Sequence, residues 1–440
     1  MKNFVITGGN RLNGTTIISG AKNVSLKVLV AACLTDEEVI IHNIPLISDV
    51  MVMLDIIREL GGEVHLEEHT VKIKMEHFAT DTITLDRASH IRTSSMFLAP
   101  LLIRNHSAII PNPGGCRIGA RPIDWTIEGL KLMGADIDYE SLDGYFHARA
   151  EKLEGITYRF KKNTHTGTET LILASVCANG KTILENAALE PEVDELITFL
   201  NTMGASIKRT GERTIEIEGV EKLHSTSFTI SADRNEIVTF AIAAYVTQGD
   251  IFVSGAKRKD IDIFLDKLDE VGAAYEEKED GIRFYHTGGL RATDVITAPY
   301  PGFMTDWQAP WAVLMSVCSG KASIHEAVFS NRFGYVKELR KMGAKISFYH
   351  PHVENPSNFY NFDVDVNEKN PHAIYIEGPV KLHDAIVSIS DLRAGASLVL
   401  AALAATGETV IHGVELIDRG YEDFQERLSH LGARIRREDE

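Results

Sequence analysis

Cys116 lies in the run Pro111-Asn112-Pro113-Gly114-Gly115-Cys116-Arg117-Ile118-Gly119-Ala120-Arg121-Pro122, whose prolines and glycines exclude a helix or a regular strand and leave a loop. Arg117, Arg121 and the loose glycine amides favour the thiolate, drawing the sulfur below the free cysteine value of about 8.5. Such a sulfur suits a nucleophile or a proton donor, and the spacing allows both; the bland alternative is a chance exposed cysteine. Six other positions place polar or charged groups just ahead of apolar stretches: Lys22-Asn23, Arg92-Thr93, His165-Thr166, Asn235-Glu236, Asp306 and Arg393. A helix that begins there offers free N–H groups and the positive end of its dipole, so several such ends brought to one cleft make an anion site. Ordinary capping is the simpler reading for Asn235-Glu236. Lys22, Arg92 and Arg393 differ, because a cation at a helix start opposes the dipole by about 0.3–1 kcal/mol unless an anion sits beside it.

These residues need six similar supports, and the chain supplies them. A turn glycine returns at Gly61, Gly134, Gly204, Gly272, Gly343 and Gly432, at intervals of 68 to 73 residues and finally 89. The long interval carries an insertion at His350–Pro371, rich in Asn, Pro and His and expected to be a surface loop. Ahead of the glycines the apolar residues fall at helical spacing, as in Val50, Met53, Leu54, Ile57 and Leu60, or Val193, Leu196, Ile197, Leu200 and Met203. After them come strands of period two, such as Thr214 to Glu218 and Ala373 to Glu377. A second helix class is apolar almost all round: Val24 to Leu34, Met96 to Ile103, Leu171 to Cys177, Ile237 to Val246, Trp311 to Cys318 and Ala394 to Ala405. Helices of that kind must be buried on every side, and they fall short of the roughly 20 residues needed to span a bilayer.

Composition narrows the partners. With 44% hydrophobic and 24% charged residues, the 440-residue chain reads as a globular protein of two domains, three repeats each, divided near the Ser/Thr-rich stretch His224–Ser231. Its net charge of −17, without a basic tail or a basic patch interleaved with aromatics, argues against nucleic acid and anionic membranes as partners. The opening MKNFVITGGNRLNG has no apolar secretory core, so the expected location is the cytoplasm. Four cysteines without a CxxC pair give neither a zinc signature nor a disulfide framework, and Cys33, Cys177 and Cys318 read as inert core residues near helix ends.

Six segments resemble a known family. Ser19-Gly20-Ala21-Lys22-Asn23, the glycine-flanked cysteine loop through Asp124, Thr305-Asp306-Trp307-Gln308, Asn331-Arg332-Phe333, Asp391-Leu392-Arg393-Ala394 and Ile417-Asp418-Arg419-Gly420-Tyr421 are similar, in order and across the whole chain, to the UDP-N-acetylglucosamine 1-carboxyvinyltransferase family of enolpyruvyl transferases. The resemblance implies an α/β fold, a two-lobed inside-out α/β barrel of six βαβαββ-type repeats, with residues 22–230 in one lobe and residues 1–21 and 231–440 in the other. It implies a reaction without metal or cofactor on phosphoenolpyruvate and UDP-N-acetylglucosamine, in a cleft where the helix starts converge.

The resemblance also assigns roles. Cys116 would donate a proton to C3 of phosphoenolpyruvate and be alkylated by the epoxide fosfomycin, and Asp306 would take the sugar hydroxyl proton, although a capping aspartate would fit that position too. Lys22, Arg121 and Arg419 would meet phosphate, with Arg332 and Arg393 near the carboxylate; guanidinium forks suit both groups. Asn23, Arg92, Arg121, Pro122, Ile123, Asp124, Trp125, Asp306 and Val328 would hold the nucleotide sugar, and Asp391 belongs to the matching segment around Arg393. Two departures concern the acceptor. His165-Thr166-Gly167 stands where the family has a Val-Ser-Val-Gly-like turn, leaving His165 either a diphosphate contact or a structural residue, and Trp307 and Pro310 follow Asp306 in place of the usual residues. The rival readings are a transferase for another acceptor, a non-catalytic nucleotide-sugar-binding paralogue, and a structural repeat scaffold; six all-apolar helices demand closed cores and speak against the last.

Overall fold

The third repeat displays the plan of all six. A strand at Thr157–Arg159 leads into the helix His165–Ser175, a second strand Lys181–Glu185, a second helix Pro191–Thr202, and a hairpin of Ser206–Gly211 and Thr214–Glu218. The first two strands pair in parallel because a helix connects them, while the hairpin adds antiparallel strands at the other side. Ile215 and Ile217 point inward from the hairpin, opposite Leu184 and Thr182, and their glutamate neighbours point out. Proline opens the second helix where no N–H is needed. Gly204 closes it with φ +98°, and the other five turn glycines share that left-handed backbone, between +79° and +107°. A side chain would resist this conformation, so the glycine ends each helix and turns the chain back into the hairpin.

The computed structural model describes residues 2–115, 123–363 and 371–439. Among them are five four-stranded sheets and one three-stranded sheet. The smaller one, in the second repeat, has only the single parallel bridge Thr82–Ile109 where its fourth strand would be, since the helix Leu85–His90 begins almost at once. Strands distant in sequence complete three sheets. Lys2–Thr7 runs between Glu408–His412 and Arg434–Asp439, Asn13–Ile17 lies parallel to Asp250–Ser254, and Ser227–Thr229 lies parallel to Val39–His42.

The chain gathers into two compact units, a C-terminal unit of residues 2–19, 232–363 and 371–439 and an N-terminal unit of residues 20–115 and 123–231. Each has its own hydrophobic core. In the C-terminal unit the helices Arg234–Val246, Gln308–Val317 and Leu392–Ala404 pack on one another, and each also rests on a sheet. All thirteen residues of Arg234–Val246 are buried, which is why its sequence shows no polar face. The N-terminal unit buries Lys22–Ala32, His165–Ser175 and the stretch in which the 3₁₀ turn Arg92–Phe97 runs into the helix Leu98–Asn105. No helix among the described residues is long and apolar enough to cross a membrane.

Residues 350–363 of the insertion lie mostly at the surface, as expected of a loop, but one residue turns inward. Tyr360 is buried, its hydroxyl 2.9 Å from His325 Nε2, and Asn361 N–H donates to Ala327 O at 2.7 Å. Phe359 and Phe362 pack around Tyr360, so aromatic burial ties the segment down in a way that its polar composition conceals.

Candidate active site

Asp306 occupies the 3₁₀ turn Thr305–Trp307, just ahead of the buried helix Gln308–Val317. Its carboxylate does not cap that helix, as the alternative reading had it, but faces two guanidiniums: Oδ1 is 2.5 Å from Arg332 Nη2, and Oδ2 is 3.5 Å from Arg393 Nε. Arg332 also reaches Asp391 Oδ1 and Thr305 Oγ1, each at 3.4 Å. The two arginine side chains are 5–6% exposed and Asp306 is 22% exposed, so the carboxylate is the part of this cluster that solvent or a reactant meets first. Arg393 lies with its guanidinium 5.2 Å from the centre of the Tyr421 ring, and its buried Nη1 has no hydrogen-bond partner among the described residues. A buried cationic donor without an acceptor is costly, and an anion would satisfy it.

A second layer holds the arginines in place. Glu326 is fully buried; Oε2 accepts from Thr305 Oγ1 at 2.8 Å, and Oε1 accepts from the N–H groups of Val328 and Phe329 at 2.8 and 2.9 Å. Burial pushes the Glu326 carboxyl up, against the pull of those N–H groups and of Arg332. Val328 thus joins the cluster through its backbone. Gln308 Nε2 donates to Arg332 O at 3.3 Å and Gln308 Oε1 accepts from the Tyr335 hydroxyl at 2.7 Å, while Trp307 is buried and donates to Asn235 Oδ1 at 3.0 Å. Arg419 is half-buried in the turn Ile417–Gly420, next to the Tyr421 beneath Arg393.

In the N-terminal unit, Lys22 is the first residue of its helix and Ala21 offers no capping side chain. Lys22 Nζ is 2.7 Å from Asp49 Oδ2, both groups being nearly buried. Asn23 is half-buried beside it, and Arg92 opens the 3₁₀ turn. Thr164 caps the helix His165–Ser175 by accepting from Gly167 N–H at 3.1 Å. Gly167 is required there, since a Cβ would stand 2.6 Å from the Thr164 methyl. Thr166 O accepts from Thr170 Oγ1 at 2.8 Å, and His165 Nε2 lies 3.0 Å from Glu169 Oε1. Ile123 is buried ahead of the helix Asp124–Leu132, which Asp124 and Trp125 open. Cys116, Arg121 and Pro122 lie outside the described residues.

Cations at helix starts pointed to an external anion, yet the protein supplies carboxylates of its own: Asp49 for Lys22, and for the helix of Arg393 the cap Asp391, which accepts from Arg393 N–H and Ala394 N–H, each at 3.1 Å. Asn235 and Glu236 are likewise not the caps. That role falls to Asp233, while Glu236 pairs with Arg427 at 2.9 Å. Asp49, Glu326, Lys27 and Glu169 escaped the sequence reading; a charged residue inside an otherwise apolar run was the only trace they left. Of the cysteines in the described residues, burial pushes Cys33 and Cys318 up to about 12 and Cys177 up to about 11, which keeps these thiols protonated and inert.

A sequence profile of the EPSP synthase family (3-phosphoshikimate 1-carboxyvinyltransferase) matches residues 6–428. The chain is 42% identical over 442 residues to the UDP-N-acetylglucosamine 1-carboxyvinyltransferase of Acidobacterium capsulatum, covering 99% of this chain and 96% of that one. It is 41% identical over 440 residues to the enzyme of that name from Methylacidiphilum infernorum, covering 99% of each. Among solved structures, the enolpyruvyl transferase NikO from Streptomyces tendae superposes with a TM-score of 0.86 at 26% identity, covering 99% of this chain and 98% of NikO. EPSP synthase from Acinetobacter baumannii shares the fold, with a TM-score of 0.73 at 18% identity over the full length of both chains.

Proposed function

We propose that this chain, which belongs to the UDP-N-acetylglucosamine 1-carboxyvinyltransferase family of enolpyruvyl transferases, moves the enolpyruvyl group of phosphoenolpyruvate to the 3-hydroxyl of UDP-N-acetylglucosamine and releases phosphate. This is the first committed step of peptidoglycan precursor synthesis.

The sugar oxygen bonds to C2 of phosphoenolpyruvate while its proton passes to a base and C3 gains a proton. The resulting ketal loses a C3 proton, and the C2–O bond to phosphate breaks as the double bond returns. Asp306 is assigned the base, being the most accessible carboxylate of its cluster and oriented by two guanidiniums. Cys116 is assigned the proton donor to C3. Arg332 and Arg393 take the reactant carboxylate; Lys22, Arg121 and Arg419 take its phosphate. Asn23, Arg92, Ile123 to Trp125, His165 to Gly167 and Val328 receive the nucleotide sugar, with Pro122 and Trp125 offering an apolar face to the uracil. Fixed cations placed where the ketal's charge develops are each worth about 3 kcal/mol, comparable with a positioned proton donor, so several together are a large source of acceleration.

The observation that carries this assignment is the unsatisfied Arg393 Nη1, buried beside Asp306 and Arg332 in a chain related to these transferases over nearly its whole length. Release of phosphate from phosphoenolpyruvate is expected only when UDP-N-acetylglucosamine is added, and Asp306→Ala and Lys22→Ala should each abolish it. Release with another hydroxyl compound and none with this sugar would overturn the acceptor while leaving the chemistry in place.

A further inference from the structure

The N-terminal unit contains a buried array of charges that the reaction leaves unused. Glu169, on the helix His165–Ser175, is wholly buried, with Oε2 3.3 Å from Lys27 Nζ and Oε1 3.0 Å from His165 Nε2. Lys27 belongs to the helix Lys22–Ala32, so the pair joins the two helices whose first residues are Lys22 and His165. We propose that Glu169 and Lys27 are positioning residues that fix His165 as a cation at the start of its helix, where it contacts the diphosphate of the nucleotide sugar. The proposal rests on the acceptor assignment above and goes beyond it by giving the departure from the family's turn a mechanism.

Charge and exposure decide the direction. The charges of Lys27 and Glu169 cancel, so a protonated His165 leaves these three residues with one positive charge, which Glu190 faces as a further carboxylate. His165 is also the most exposed of the three, its side chain being 25% exposed against 6% for Lys27 and none for Glu169. Around the imidazole stand Glu169 on its own helix, Lys27 on the neighbouring helix, and Glu190 just ahead of the helix Pro191–Thr202. Burial and Lys27 oppose the positive ring, and Glu169 with Glu190 more than offsets them, leaving its pKa above the ordinary histidine value. Thr164 and Gly167 hold the first turn, so the ring's backbone anchor is rigid. A buried carboxylate that serves only to join two helices has no need of a third, exposed partner.

Titration of the full chain with UDP-N-acetylglucosamine from pH 5.5 to 8.5 tests this, alongside an NMR titration of the His165 ring. Wild-type affinity should fall about tenfold as pH rises through the His165 pKa, the loss of one charge-assisted contact. His165→Gln should bind about tenfold more weakly at low pH, without that step and with the KM for phosphoenolpyruvate unchanged. Glu169→Gln should move both the step and the ring titration to lower pH. Should that variant fail to fold, Lys27→Met with Glu169→Leu removes both buried charges together and should shift them the same way. A wild-type step that survives in His165→Gln, or a ring titration unmoved in the Glu169 variants, overturns the proposal while normal phosphate release leaves the function standing. A wild-type protein with no response to this sugar overturns both.

Discussion

Asp306 is the point at which chemistry and charge compete. Its two oxygens are engaged by Arg332 and Arg393, the same guanidiniums assigned to the reactant carboxylate, so an arriving anion and the resident one share the same donors. Removing the charge while keeping the shape separates the two roles. Asp306→Asn should lower kcat by about 10²–10⁴-fold, the usual contribution of a positioned base, while the KM for phosphoenolpyruvate stays level or falls because a competing anion has gone. Steady-state phosphate release at saturating UDP-N-acetylglucosamine measures both constants. A raised KM with an intact kcat would make Asp306 a binding residue.

At the scale of the element, the insertion is pinned by a histidine that must remain neutral. Burial, with His372 close by, pushes His325 down to about 4, and its Nε2 lies 2.9 Å from the Tyr360 hydroxyl. A depressed folded pKa means that the unfolded chain takes up the proton first. The stability contributed by His325 is complete above the free histidine pKa of about 6.5 and drains away as pH falls from there toward 4. Between pH 6.5 and 4.5, hydrogen exchange across residues 355–362 should quicken, beginning with the Asn361 amide that donates to Ala327. His325→Gln, which keeps a polar group but cannot titrate, should flatten that response. An identical acid response in wild type and variant would place the trigger elsewhere.

For the molecule as a whole, two cores mean two stabilities. Glu169 and Lys27 lie in one unit and Asp391 in the other. Removing one partner of a buried pair costs about 3–5 kcal/mol, so Glu169→Ala should lower the unfolding transition of residues 20–231. Deleting both charges, as Lys27→Met with Glu169→Leu, should recover most of that loss. Asp391→Ala strips the cap from the helix Leu392–Ala404, worth about 1 kcal/mol, and one partner from Arg332, so it should lower the transition of the C-terminal unit. Calorimetry with peptide-resolved hydrogen exchange separates these outcomes. A uniform shift along the chain for either substitution would make the protein a single cooperative body.

The repeat, its turns and its buried helices were written in the order of residues. Left-handed glycines recur at Gly61 through Gly432 because only they tolerate that backbone, and an apolar helix such as Arg234–Val246 needs no partner named in order to declare itself buried. The matching segments around Lys22, Asp306 and Arg393 likewise pointed to the family. Hidden from sequence was which carboxylate answers which cation. Asp49 with Lys22, Glu169 with Lys27 and Asp306 with Arg332 meet across separate elements, and periodicity tells which way a side chain faces but not what it faces. Nor did the polar stretch show that Tyr360 would be buried, since the His325 that its hydroxyl meets lies 35 residues earlier in the chain. Local pattern fixes backbone shape and burial; the pairing of charges in a dry interior is decided only when distant helices pack, because their attraction acts over a few ångströms and carries no memory of chain order.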